Sequence, residues 1–178
     1  MATYTSAINA VLRRLRENEV AGPNDSDYAT LIGDFINETK REVEDTWKWQ
    51  AIRQTIAITT VDGTSQYAIT GAGERFRLQD KRFSVYDVTN KARVYPQSAK
   101  YLKEAAITSP ATGFPSYYYF EAFDSNGDPY VNLHSTPNGE FTINFEMIVP
   151  QEDLSLGTER ILVPSWPVIL GAYAKAIG

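Results

Sequence analysis

Residues 141–149 read Phe141-Thr142-Ile143-Asn144-Phe145-Glu146-Met147-Ile148-Val149, and every second side chain up to Met147 is apolar. Successive side chains on a strand point to opposite faces, so this period of two predicts a half-buried β-strand. Shorter runs of the same kind precede it. Tyr130 to His134, Tyr117 to Ala122, Ala92 to Tyr95, Phe83 to Val88 and Arg75 to Leu78 are strand candidates. Further upstream, Ile56 and Ile58 lead through Asp62-Gly63, a hairpin signal, to Tyr67 and Ile69. Thr89-Asn90-Lys91 joins two of these strands. Ser98 to Ile107 reads as a short helix and Pro110 to Pro115 as a loop. Strands this short, separated by turns, predict an antiparallel β sandwich or barrel.

Outside this region the period changes to that of a helix. Ile8, Val11, Leu12 and Leu15 recur at i, i+3, i+4 and i+7, predicting an amphipathic helix from Thr5 to Glu19 capped by Thr5 or Ser6. Gly22-Pro23-Asn24 breaks it. A longer helix begins at Asp25 to Asp27, with an apolar face of Tyr28, Leu31, Ile32, Phe35, Ile36, Val43 and Trp47. Asp34, Glu38, Arg41, Glu42, Glu44, Asp45 and Lys48 read as its solvated side. Trp47 and Trp49 cannot share one helical face, so one is expected to anchor the core and the other to cover the junction with the β region. After a polar connector, Gln151 to Glu159, a last helix starts near Ser165, its expected cap, with Ile169, Ala172, Tyr173 and Ala176 as its stripe. So short a helix needs partners, on the first two helices or on another subunit. The expected fold class is α+β: a helical domain of residues 1–52 and 160–178, with an antiparallel β domain of residues 53–159 inserted.

Chemistry is hard to find in this chain. Cysteine is absent, which removes disulfides, thiolate metal sites and cysteine nucleophiles. The one histidine, His134, lies in an alternating strand and reads as a structural residue. Asp124-Ser125-Asn126-Gly127-Asp128 has its glycine at the fourth place, not the sixth, and Ser135 where a calcium loop needs glutamate, so a polar hairpin turn is expected. Gly71-Ala72-Gly73 lacks the lysine and following helix of a phosphate loop. No cofactor, metal or catalytic residue is expected. Lys and Arg number 17 against 22 Asp and Glu, giving −5, so specific duplex binding is disfavoured and DNA is expected only as passing cargo. No signal peptide is visible at Met1 to Ala10, and no apolar run reaches membrane-spanning length.

Tyr117-Tyr118-Tyr119-Phe120 is the first hint of binding. Aromatics on both faces of one strand cannot all enter one core. Tyr117, Tyr118 and Tyr119, with Trp166 and Tyr173, are therefore the candidate partner or subunit interface.

The order of features resembles a known family. The residues that carry it are YTSAINAVLRRLRE at 4–17, DFINETKREVEDTWKW at 34–49, YVNL at 130–133, PNG at 137–139, FTINF at 141–145 and VPSW at 163–166. Together they resemble the head-to-tail adaptors of tailed bacteriophages, the connector or gatekeeper type akin to the tail tubular protein A group. The resemblance implies a virion protein without enzymatic activity, made in the host cytoplasm and placed at the head–tail junction. It implies a homo-oligomeric ring, commonly of about twelve subunits, that binds the portal protein, extends the channel for DNA ejection and meets a tail nozzle or other tail protein. Such adaptors usually continue past the helix that begins at Trp166, whereas this sequence ends at Gly178, a departure that bears on the portal contact. A carbohydrate- or receptor-binding β module is the alternative, resting on the tyrosine cluster and polar turns. A carboxylate-based hydrolase ranks below it.

Overall fold

A computed structural model describes all residues, 1–178, as a mixed α+β chain in two units. One unit comprises Met1–Ile52 with Pro150–Gly178, and the other Arg53–Val149.

The helical unit holds α1 (Tyr4–Leu15), α2 (Asp27–Thr46) and α4 (Ser165–Ile177). Thr3 caps α1, its Oγ1 accepting the Ser6 N–H. The helix stops at Leu15, four residues before the expected end, because Arg16 turns left-handed at φ 62°. The Arg16 and Glu17 N–H groups then satisfy the carbonyls of Arg13 and Leu12. Ser26 caps α2 through the Ala29 N–H, and Asp27 complements the dipole at its first turn. Trp47 is extended and ends the helix; it is exposed. Trp49 folds back against the core and donates its indole N–H to the Val43 carbonyl at 2.8 Å. Ser165 is the first residue of α4 and makes no side-chain cap.

The core of this unit is Ile8, Val11 and Leu12 of α1, Ile32 and Ile36 of α2, and Val168, Ile169 and Ala172 of α4. Two glycines let the helices approach closely. A Cβ on Gly33 would strike the Tyr4 hydroxyl, and one on Gly171 would strike Thr39 Cγ2.

The connector 150–159 belongs to this unit and not to the β part as expected. The physical reason lies on α2, where Glu44 is buried rather than solvated. Lys40, also buried, pairs with Glu44 at 3.4 Å and donates to the carbonyls of Gln151 at 2.7 Å and Glu152 at 2.9 Å. Glu44 accepts the Gln151 N–H, and Asn37 exchanges two hydrogen bonds with the Leu154 backbone. Glu159 gathers the Ser155 and Leu156 N–H groups, which holds its carboxyl below the usual range. Its carbonyl and that of Gly157 receive the first N–H groups of α1.

The β unit is two facing sheets. Its strands are β1 (Arg53–Thr59), β2 (Gln66–Ala68), β3 (Arg77–Leu78), β4 (Val85–Asp87), β5 (Ala92–Arg93), β6 (Tyr95–Pro96), β7 (Tyr117–Phe123), β8 (Pro129–His134) and β9 (Thr142–Ile148). One sheet runs β1-β9-β4-β5, with β3 also on β9; the other runs β2-β8-β7-β6. All pairings are antiparallel except β6 with β7. Ile143, Phe145 and Met147 of β9 are fully buried and meet Tyr118, Val131 and Leu133 of the other sheet. The Asp62-Gly63 turn does not close a hairpin. It carries the chain from one sheet to the other, since β1 pairs with β9 and β2 with β8. The Tyr67 hydroxyl accepts from the Val61 N–H and donates to the Thr64 carbonyl, and Gly63 (φ 76°) donates to Pro137. A short helix, α3 (Ala99–Thr108), buries only Leu102.

All three tryptophans (Trp47, Trp49, Trp166) lie in the helical unit, so tryptophan fluorescence in denaturant reports that unit alone. Gly171→Val is expected to lower its stability by about 2 kcal/mol through overpacking against Thr39, while Gly139→Ala, which meets open space, leaves it unchanged. Lys40→Met leaves Glu44 buried without its cation and is expected to cost roughly 3–5 kcal/mol. An unshifted midpoint for Lys40→Met would show that the clamp on residues 151–154 is dispensable.

Candidate interaction site

On β7 the tyrosines alternate as the pleat demands. Tyr117 is 39% exposed and Tyr118 only 1%. Tyr118 is therefore not an interface residue; its ring sits edge-on to Phe120 and Phe145 inside the sandwich. Burial, helped by the charge of Asp80, pushes its phenol up to about 12, and the hydroxyl has no hydrogen-bond partner. Tyr119 is half-buried beneath the Lys103 ammonium, 5.9 Å from its ring, and Lys103 forms an ion pair with Glu121.

Tyr117 opens a larger surface at the sheet edge. Parallel pairing sets Tyr95 beside it, and the two line a depression of about 510 Å³ with Arg82, Pro96 and Gln97. Arg82 and Arg93 stand over Phe83, with Arg93 4.8 Å from the ring centre. Pro96, which has no N–H to offer, suits this uncovered edge strand. Exposed tyrosine, phenylalanine and arginine are the side chains that anchor protein interfaces. Sequence reasoning found Tyr117 but missed Tyr95, which the parallel β6–β7 pairing brings to it, and Arg82, Phe83 and Arg93, which gather where β5 returns beside β4.

On α4, Trp166 is 60% exposed with the Arg14 guanidinium 5.1 Å above it, and Tyr173 is half-buried against the core. Leu170 and Ile177, at 40% and 62% exposure, complete an uncovered stripe with Trp166. The spacing Trp166, Leu170, Tyr173, Ile177 repeats at i, i+4, i+7 and i+11, a signal the sequence carried beside the buried stripe of Val168, Ile169 and Ala172. On α2, Tyr28 and Leu31 are exposed rather than in the core. The buried arc turns instead toward Ala29, Gly33, Asn37, Lys40 and Glu44.

Asp128 is buried and its Oδ1 accepts the N–H groups of Gly71 and Gly73, while Asp124 closes the turn onto Asn126 and Asp128. His134 is half-buried on β8, opposite Tyr117. No three His, Asp or Glu side chains converge on a metal position. No helix is long and apolar enough to cross a membrane.

The surfaces of this chain are thus richer in exposed aromatics than in convergent polar chemistry, and its sequence agrees with that balance. Residues 2–177 match the sequence model of the SU10 adaptor protein family. The chain belongs to that family. The match spans both units, so the inserted β part and the helical part are one adaptor and not a fusion of unrelated modules. The family is one of phage head-to-tail adaptors, which makes this adaptor a structural bacteriophage protein that works with other head and tail proteins. No curated protein sequence matches it.

Tyr118→Phe in the adaptor removes a buried hydroxyl that bonds to nothing, so the melting temperature at neutral pH is expected to hold or rise. A phenol whose pKa rises on folding contributes stability that is complete below its ordinary 10 and is lost as pH climbs to about 12. Calorimetric melts across that window should show a steeper alkaline loss in the parent than in Tyr118→Phe; identical profiles would mean Tyr118 ionises as freely folded as unfolded. Tyr4, raised to about 12 chiefly by burial, gives the helical unit the same alkaline weakness in both proteins.

Proposed function

We propose that this adaptor is the subunit of a ring at the head–tail junction that links the portal to the tail and prolongs the DNA channel. The observation that carries the reading is the family match over residues 2–177. Two physical features support it. A ring subunit must offer contacts on several non-equivalent sides, and this chain exposes aromatic or apolar patches on α2, on α4 and along the β6–β7 edge. A channel wall must also let DNA pass without gripping it. The helical unit carries eight Lys and Arg against twelve Asp and Glu, and the β unit nine against ten, so neither presents a net positive field to phosphate.

In this reading the helical unit forms the wall of the ring and meets the portal. The β unit, with Tyr117 and the Asp124–Asp128 turn, meets a tail nozzle or another tail protein. The adaptor acts by assembling and has no activity of its own.

Sedimentation velocity of the purified chain, alone and then mixed with the portal of its own phage, tests this directly. A discrete complex containing a portal's complement of adaptor copies is the expected result. A chain that leaves the portal's sedimentation unchanged at every ratio would remove the portal-linking role.

A further inference from the structure

We infer that neighbouring copies of this chain join through two different and complementary faces of the helical unit: the Tyr28–Leu31–Phe35 face of α2 on one copy and the Trp166–Leu170–Ile177 face of α4 on the next. The inference rests on the ring reading above and names its contacts.

Each face is an apolar stripe that its own unit leaves uncovered. On α2, Tyr28, Leu31 and Phe35 are spaced at i, i+3 and i+7; Tyr28 and Leu31 are exposed, at 39% and 45%, and Phe35 is half-buried. On α4, Trp166, Leu170 and Ile177 are exposed along i, i+4 and i+11. The two stripes lie on different sides of the unit. The residues of α4 that approach α2 include Gly171, whose backbone lies against Thr39, and Lys175, which bonds Glu38 at 3.0 Å and Glu42 at 2.8 Å. At about 100° per residue, Trp166 and Ile177 point well away from those contacts, toward the end of α1 where Arg14 covers Trp166.

Charge decides the occupant. The α2 stripe is bordered by the exposed carboxylates Asp27 and Asp34, with Glu38 and Glu42 further along and held by Lys175. The α4 stripe is bordered by Arg14 of α1, whose guanidinium lies over Trp166. Either face against itself, as a two-fold dimer requires, would set like charges opposite one another around an apolar centre. The two faces against each other set Asp27 and Asp34 toward Arg14, and bury both stripes. Contact between two unlike faces of one chain propagates head to tail, and closes only as a ring.

The chain has no cysteine, so one pair of substitutions reads the contact without background. Leu31→Cys with Leu170→Cys in one chain, oxidised mildly and run without reductant, is expected to give a ladder extending past the dimer and collapsing when reduced. Leu31→Cys or Leu170→Cys alone should stop at the dimer. A Leu31→Cys/Val61→Cys chain, whose second site is exposed on the β unit, measures chance collision. The oxidation is run on the chain alone and on its mixture with the portal. A ladder well above the collision control supports the inference, whether or not the portal binds. If a portal complex forms and no ladder exceeds the control, the contact lies elsewhere while the adaptor reading stands. If neither complex nor ladder forms, both fall.

Discussion

A buried lysine on α2 sets the frame of the helical unit. Lys40 has three N–H donors and three acceptors for them: the Glu44 carboxylate and the carbonyls of Gln151 and Glu152. Charges this deep are tolerated only when every hydrogen-bonding position is filled. Satisfying Lys40 therefore requires the chain to return to α2 at residues 151–152 after the whole β unit has been made. The rest of the helical unit depends on that return. Leu154 enters the core beside Asn37, the 155–159 turn receives the first N–H groups of α1, and Ile161 and Val163 lead into α4.

The same lysine explains much of what the sequence hid. Helical period placed Tyr28, Leu31 and Trp47 in the core because they continue the apolar face of Ile32, Phe35, Ile36 and Val43, and it placed Glu44 in water because it is charged. The structure reverses both, since the buried arc of α2 is partly polar and is matched by backbone groups 107 or more residues away. Local pattern cannot report a partner at that separation. Where the partner was periodic too, the reading was good. The alternation of β9 fixed which of its side chains face inward, and Ser26 and Asp27 marked the start of α2. Strand neighbours were less legible: Asp62-Gly63 is a hairpin signal by composition, yet the long alternating edges of β9 and β8 each claim one of the strands it joins.

The candidate surfaces were legible in kind rather than in membership. Too many aromatics for one core meant that some had to face outward, and Tyr117 and Trp166 do. Which of three consecutive tyrosines would turn in depended on strand register, and that put Tyr118 inside. The arginines around Phe83 drew no attention because they sit eleven residues apart in sequence and meet only where β5 returns beside β4. Charge in this unit is also uneven along the chain. Between Lys103 and Arg160 there is no lysine or arginine at all, so the lysines and arginines of the β unit all lie between Arg53 and Lys103.

The first residue of β1 and the last of β9, Arg53 and Ile148, are direct cross-strand partners. The β unit therefore begins and ends at one place, separated by the width of a single strand pair, about 5 Å. An insert with neighbouring ends can be lengthened, shortened or replaced by another without pulling apart the helices that hold it. Such an arrangement is a form of insulation: the helical frame closes through its own contacts, and a change of length within the sandwich need not move the two points where the chain enters and leaves it.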